Sequence, residues 1–340
     1  MKRAGGAPWG LLALLALVCA VFTLLLPGRF ATLGTLQSVL MQIPELGLLA
    51  LAQMLALVSG GINLAVVASA NMAGLAMAWV LVGGLGALGI DLSGHAGLLI
   101  LAALAAGAMV SLLAGLASGW LVASVNAHPI LVTLGTMSLF NGLCVWLTRG
   151  RPISGFPEAF QALGAGQWLG IPAPFWAFAA TCAALGLYLG RTRHGLAICM
   201  AGSNAEAARF AGIDTRRVLI GVYTLSTLLC WVAAVLMMLR FNSASAGYAQ
   251  SYLLVTVLAA ILGGTDPMGG FGKVGGLFVA LLILQVISSG VNLLGANAHL
   301  TQALWGATMI AAMAARHLLA RWRGRTGRQR PSTSTPPCPP

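Results

Sequence analysis

The chain has 340 residues, of which 59% are hydrophobic and only 7% charged, and it carries a net charge of +12. A water-soluble domain of this length does not hide that much apolar surface, even in a large core. The apolar runs are long enough to cross a bilayer, which takes about 20 residues per helix. The alternating strands of a membrane barrel are absent. The chain therefore reads as an all-α polytopic integral membrane protein.

In chain order, Lys2 and Arg3 precede an apolar stretch from Trp9 to Leu26. That stretch is longer than a usual signal-peptide core, and no small-x-small cleavage site follows it. It reads as the first membrane helix, over 9–27. Further spans are expected at 36–58, 64–85, 97–123, 130–148, 173–190, 217–239, 250–265, 274–295 and 300–316. About ten spans place both termini on one side. Thirteen of the eighteen basic residues fall in three clusters: Lys2–Arg3, the Arg191–Arg217 segment and Arg316–Arg330. Ten spans put all three clusters, and Lys273, on the cytoplasmic side. Arg29, Arg149, Arg151 and Arg240 are left outside. Basic residues placed beside spans, with no soluble domain to carry them, indicate a lipid membrane and no nucleic acid as partner.

The longest outer loop, Thr148–Pro172, is rich in Pro and Gly. It either meets a soluble partner or is a plain connector. Two segments break the helical pattern. Ser59–Leu64 holds two glycines and Asn63, has no charge, and reads as a break within the bilayer. Gly263–Lys273 reads equally as a tight inner loop or a second break. Such non-helical backbone survives at membrane depth only under protein or beside a water-filled cavity, and interrupted segments in two halves of a chain point to a transport path. The Thr326–Pro340 tail, rich in Pro, Ser and Thr, is expected to be disordered.

Gly195–Asp214 is a polar island. Ser203 followed by Glu206 makes a capping box, and Gly212 supplies a helix stop. The predicted helix over 203–212 is too short to stand alone in water. It is either a capped cytoplasmic loop or a docking helix for a second protein.

Enzymatic patterns are missing. The six acids, Glu45, Asp91, Glu158, Glu206, Asp214 and Asp266, make no paired-carboxylate spacing, and the five histidines make no metal motif. The six cysteines show no CxxC spacing, so neither a disulfide framework nor a metal site is expected. Gly272–Lys273 fails as a phosphate-binding loop, because Pro267 and Val274 stand where Gly and Ser or Thr belong. Glu45 is the one acid within an apolar run, which makes it a candidate proton site or the partner of an arginine. Asn63, Asn71, Asn126, Thr133, Thr136, Asn141, Gln285 and Asn292 lie in or at the ends of spans. They serve either to line a path for a hydroxylated solute or to bond helix to helix.

Five segments together carry a family resemblance. They are SGGINLAVVASAN at Ser59–Asn71, PILVTLGTM at Pro129–Met137, AGSNAEAARFAGI at Ala201–Ile213, the Gly263–Gly272 loop, and GVNLLG at Gly290–Gly295. The chain resembles the permease subunits of ATP-binding-cassette importers, in the branch that carries ribose, xylose and similar sugars, over roughly residues 36–315. The resemblance implies a 36–318 permease domain, preceded by an N-terminal end and first span at 1–35 and followed by a tail at 319–340. It implies a cytoplasmic ATPase subunit as partner, which binds the ATP, and no cofactor in this chain. It also implies a periplasmic solute-binding protein and a second permease chain, identical or related, in the bacterial inner membrane. The coupling helix would comprise Gly202, Ser203, Asn204, Glu206, Ala207, Ala208, Arg209 and Gly212. Asn63, Asn71 and Thr136 are the candidates for lining the path. Asn63 and Ala65 stand where the family motif has aspartate and serine, and Asp266–Pro267 is a second departure. A stand-alone proton-coupled carrier using Glu45 is the rival reading.

Overall fold

The computed structural model describes residues 8–84, 86, 95–125, 128–168, 170–295, 300–308 and 310. The tail, the Arg316–Arg330 cluster, Lys2–Arg3, Asn126 and the end of the 300–316 span lie outside the described residues. Residues up to Gly295 form one compact unit, and a second begins at Ala296.

In the first unit the helices are α1 (Pro8–Leu25), α2 (Leu33–Val58), α3 (Val66–Trp79), α4 (Ala96–Ser124), α5 (Pro129–Thr148), α6 (Glu158–Ala165), α7 (Ala173–Arg191), α8 (Arg193–Ser203), α9 (Ala205–Phe210), α10 (Thr215–Phe241), α11 (Tyr252–Leu262) and α12 (Val274–Leu293). α3 continues into a π turn at Val80–Gly84, where Val82 and Gly83 leave helical geometry. Seven of the described helical stretches, α2, α3 with its π turn, α4, α5, α7, α10 and α12, are long and apolar enough to cross a membrane. The apolar part of α1, Gly10–Leu25, and α11 are shorter. Residues 300–308, in the second unit, are helical too. Helices thus occupy the expected spans from 9–27 to 274–295, except that α11 fills only part of 250–265, and the 300–316 span is described only in its first part.

α2 is the mast of the bundle. Every residue from Ile43 to Val58 is buried, under α3, α7, α10, α11 and α12. The Phe178 ring of α7 sits directly on Gly47 of α2 and stacks on Phe278 of α12 with ring centroids 6.0 Å apart. α1 docks on α12, where the Phe22 ring meets Gly290.

α4 packs on α10 and α3 through a stripe of small residues: Ala103, Gly107, Ser111, Ala114, Gly115, Ser118 and Gly119. Its other face carries exposed Leu101, Met109, Leu113 and Trp120. In lipid there is no hydrophobic force between helices, so close backbone approach supplies the packing. A Cβ at Gly115 would lie 2.6 Å from the Thr224 Cα, and one at Gly119 would lie 2.9 Å from the Ile220 Cα.

At the end of the bundle away from α8 and α9, the Thr148–Pro172 loop is folded rather than a loose connector. Strand β1 (Ile153–Ser154) pairs with β4 (Ser243–Ala244), and β2 (Gln167–Trp168) pairs with β3 (Ile171–Pro172). Phe156 and Phe160 are buried edge to face at 5.8 Å. The 242–251 segment then dips back into the bundle. Its Ala246 and Tyr248 carbonyls both accept from Asn71 Nδ2 at 2.9 Å. Asn71 lies five residues, about 8 Å, from the start of α3, so this is a re-entrant segment whose carbonyls are satisfied inside protein.

The α4 stripe yields a prediction. Gly115→Leu should lower the thermal unfolding midpoint of the detergent-purified protein, at a cost of about 3 kcal/mol for overpacking. Gly221→Leu should leave the midpoint unchanged, since an added Cβ there meets nothing within 4 Å. Equal midpoints for the two variants would refute this packing.

Candidate functional site

The 59–65 segment is a turn between α2 and α3, where the sequence places the break between its 36–58 and 64–85 spans. It lies at the end of the bundle that also carries α8, α9 and the α11–α12 loop, and four partners hold it. A Cβ at Gly60 would lie 3.5 Å from the Gly202 carbonyl oxygen of α8 and 3.9 Å from the Met268 carbonyl oxygen. Gly61 leaves room for the Tyr223 hydroxyl of α10 and for Pro129. The Ile62 carbonyl accepts from Thr133 Oγ1 of α5 at 3.0 Å. Asn63 Nδ2 donates to Ser226 Oγ of α10 at 3.0 Å, while Asn63 Oδ1 accepts from the Ala65 N–H. Ser226 Oγ donates onward to the Ala52 carbonyl at 3.0 Å. Segments that are distant in sequence thus meet at one turn, among them four of the five that carry the family resemblance.

The α11–α12 connection is a tight loop. Asp266 Oδ1 accepts from the Met268 N–H at 3.0 Å, an Asx turn of the kind Asp forms readily. The Asp266 N–H donates to the Phe271 carbonyl at 2.9 Å, and the Gly270 N–H donates to the Val58 carbonyl at 2.8 Å. A cavity of about 470 Å³ opens beside it, with Cys199, Phe271 and Lys273 in its lining. Burial pushes the Cys199 thiol above its usual range, which makes it a poor nucleophile.

The expected 203–212 helix is α9, Ala205–Phe210, which follows directly on α8. Ser203 is the last residue of α8, not a cap. The N-cap of α9 is Asn204, whose Oδ1 accepts from the Glu206 and Ala207 N–H groups at 3.0 Å each. The Asn204 N–H closes α8 on the Met200 carbonyl, so one residue ends one helix and starts the next. Gly212 does stop α9. Its φ is +80°, and the Gly212 and Ile213 N–H groups donate to the Arg209 and Ala208 carbonyls, a Schellman motif. Ala208 is buried, while Glu206, Ala207 and Arg209 are exposed. Arg209 Nε donates to Thr215 Oγ1 at 2.9 Å, which fixes α9 against the start of α10. Phe210 and Met268, not singled out in the sequence, are each 86% exposed.

The three path candidates are scattered. Asn63 and Asn71 are buried, with their side chains engaged as described. Thr136 Oγ1 bonds back to the Val132 and Thr133 carbonyls of its own helix. Glu45 is 1% exposed and pairs with Arg240, whose Nη1 lies 2.8 Å from Oε1. The pair borders a cavity of about 410 Å³ between α2, α6, α7 and α10, with Glu158 and Gln161 in its lining.

Helices crossing a membrane around one enclosed helix, a re-entrant segment, and an exposed capped helix pair at one end define a multi-pass helical membrane protein. Residues 35–313 match a family described as branched-chain amino acid transport system, permease component. The L-arabinose transport system permease protein AraH of Escherichia coli is 29% identical over 301 residues, covering 88% of this chain and 87% of that protein. The ribose import permease protein RbsC of Escherichia coli is 32% identical over 293 residues, covering 85% and 87%. The autoinducer 2 import system permease protein LsrD of Salmonella typhi is 30% identical over 292 residues, covering 82% and 84%. No solved structure matches the chain. The chain belongs to this permease family, among the permeases of sugar-type ATP-binding-cassette importers.

Two substitutions test these contacts. Asn63→Asp restores the family residue but should destabilise this chain. Ser226 has one hydroxyl proton, already given to Ala52, so a carboxylate oxygen would face an acceptor, at a cost of about 2 kcal/mol or more. A thermal midpoint at or above wild type would refute this. Arg240→Ala should cost about 3 kcal/mol by leaving a buried acid uncompensated, and adding Glu45→Gln should recover most of it. Additive losses in a double-mutant cycle would contradict the pair.

Proposed function

We propose that the chain is the membrane subunit of an importer for a sugar or similar hydroxylated solute, and that a separate cytoplasmic ATPase drives it through α8 and α9. The observation that carries this reading is the exposed, doubly capped α9 with Phe210 at its end. A short helix with an exposed large aromatic side chain suits insertion into a groove on another protein. Gly202, Ser203, Asn204, Glu206, Ala207, Ala208, Arg209 and Gly212 shape the docking segment, with Phe210 as its apolar anchor. The chain itself performs no catalytic chemistry and needs no cofactor, since ATP is bound by the partner.

The relatives named for arabinose, ribose and autoinducer 2 support a hydroxylated solute, and the family description leaves amino acids as the second class. A periplasmic binding protein delivers the solute to the end bearing the folded Thr148–Pro172 loop. Two permease chains, identical or related, form the path, in the inner membrane of a bacterium with both termini cytoplasmic. Residues 36–318 make up the permease domain, with the first span at 1–35 and a cytoplasmic tail at 319–340. Asn63, Asn71 and Thr136 support the walls of that path rather than present free polar groups to it.

The rival reading, a proton-coupled carrier, rests on Glu45. The engagement of Glu45 with Arg240 supports a structural use of that acid.

The deciding experiment is a mild-detergent pull-down of the chain from its host's membranes, with the eluate assayed for ATP hydrolysis. Wild type should bring down an ATPase. Phe210→Asp, and the pair Glu206→Arg with Arg209→Glu, should each lose at least about 90% of it, a tenfold drop equivalent to 1.4 kcal/mol. Folded protein that brings down no ATPase, while solute uptake persists in intact cells and is abolished by Glu45→Gln, would overturn the proposal in favour of the carrier.

A further inference from the structure

We infer that Gly60, Gly202, Gly269 and Gly270 form a backbone clamp that transmits movement of α8 to the 59–65 turn, which makes these glycines positioning residues for coupling. The inference rests on the reading of α8–α9 as the docking segment.

Three chain segments meet here main chain to main chain. A Cβ at Gly202 would strike the Val58 carbonyl oxygen and lie 2.7 Å from the Gly270 nitrogen. A Cβ at Gly269 would lie 2.6 Å from the Gly202 carbonyl oxygen and 2.7 Å from the Gly60 Cα. A Cβ at Gly270 would strike the Ser203 hydroxyl and lie 2.9 Å from the Ser203 Cα. Gly60, Gly269 and Gly270 all have positive φ, at +85°, +96° and +82°, which other residues rarely adopt. The hydrogen bond from the Gly270 N–H to the Val58 carbonyl closes the clamp at 2.8 Å.

The mechanical consequence follows from what is missing between the segments. Apart from the short Ser203 side chain against Gly270, the contacts are backbone on backbone, with no long side chain to change rotamer and absorb a displacement, and close-packed groups transmit strain. The far side of the same turn is also fixed, to α10 through Asn63 and Ser226 and to α5 through Thr133. A shift of the α8 C-terminus therefore reaches α2, α3, α5 and α10 through direct contacts. α9 is held by one buried residue, Ala208, and by its bond to Thr215, so a partner that displaces it loads α8 and the start of α10 together. A contiguous network shows a route and not a coupling, so the test measures the coupling itself.

The experiment is hydrogen exchange on the complex of the full chain with its co-purifying ATPase in lipid nanodiscs, with ADP and then trapped with ATP and vanadate. In wild type, amides in 193–212, 59–65 and 263–272 should change together, by about tenfold in rate, within the usual range of coupling between sites. In a Gly202→Ala complex, 193–212 should still respond and 59–65 should not. Gly221→Ala, where an added Cβ meets open space, should behave as wild type. A wild-type response at 193–212 with 59–65 and 263–272 unmoved overturns the clamp, and that arm decides even if Gly202→Ala fails to assemble. A Gly202→Ala complex that responds like wild type overturns it too. A bound ATPase that leaves 193–212 unchanged removes the docking reading, and the clamp with it.

Discussion

The structure hangs on a contact that only glycine permits: the main chain of α8 resting directly on the turn between α2 and α3. Val58, Gly60, Gly202 and Gly270 meet main chain to main chain, with one hydrogen bond between Gly270 and Val58. Everything else at that end is placed relative to this contact. The loop after α11 is pulled under the turn by one backbone hydrogen bond. The start of α5 is tied to it by a threonine hydroxyl, and the middle of α10 by an asparagine and a serine. The result is a stiff plate of non-helical backbone at one end of the bundle, with the short, exposed α9 attached to its rim.

Within the bundle two economies recur. Helices are brought together by removing side chains, as along the Gly and Ser face of α4 and at Gly47 beneath Phe178. Non-helical backbone is made tolerable by single polar side chains that arrive from a neighbouring helix. Asn71 satisfies two carbonyls of the re-entrant segment and Thr133 one of the turn. In an apolar medium each such group would otherwise carry the full cost of an unmet hydrogen bond. Asn63, Asn71 and Thr133 are thereby explained one at a time by what they hold.

The spans were legible in the sequence because crossing a bilayer imposes a length and an apolarity that need no partner to be recognised. What each span faces was not. Hydropathy does not reveal that α2 is enclosed from Ile43 to Val58 while half of α4 faces outward, because both are built from Leu and Ala. The small-residue stripe of α4 was the available signal, since its spacing marks one helix face. The cap of α9 was misplaced by one residue because Ser203 and Asn204 are both good caps. Contact with Gly270 and the closure of α8 on Met200 decided between them. Glu45 stood out as a buried acid, but its partner lies 195 residues away, a pairing no local pattern encodes. The convergence of the motif segments on one turn was invisible for the same reason, although each segment was itself readable. Phe210 looked like an ordinary apolar residue and is conspicuous only because the fold leaves it uncovered.

The distance along the chain between Glu45 and Arg240 also bears on how the protein is made. α2 is synthesised well before α10 and enters the bilayer carrying its carboxyl side chain without a counterion. A charged residue at the centre of an inserting helix costs about 2.5–3.5 kcal/mol, which the long apolar remainder of α2 offsets. The arginine arrives only after α3 to α9 have been synthesised. Until then α2 is a provisional guest in lipid, and its enclosure by α10, α11 and α12 is completed last. A chain arrested before residue 240 therefore carries an unanswered acid in the membrane.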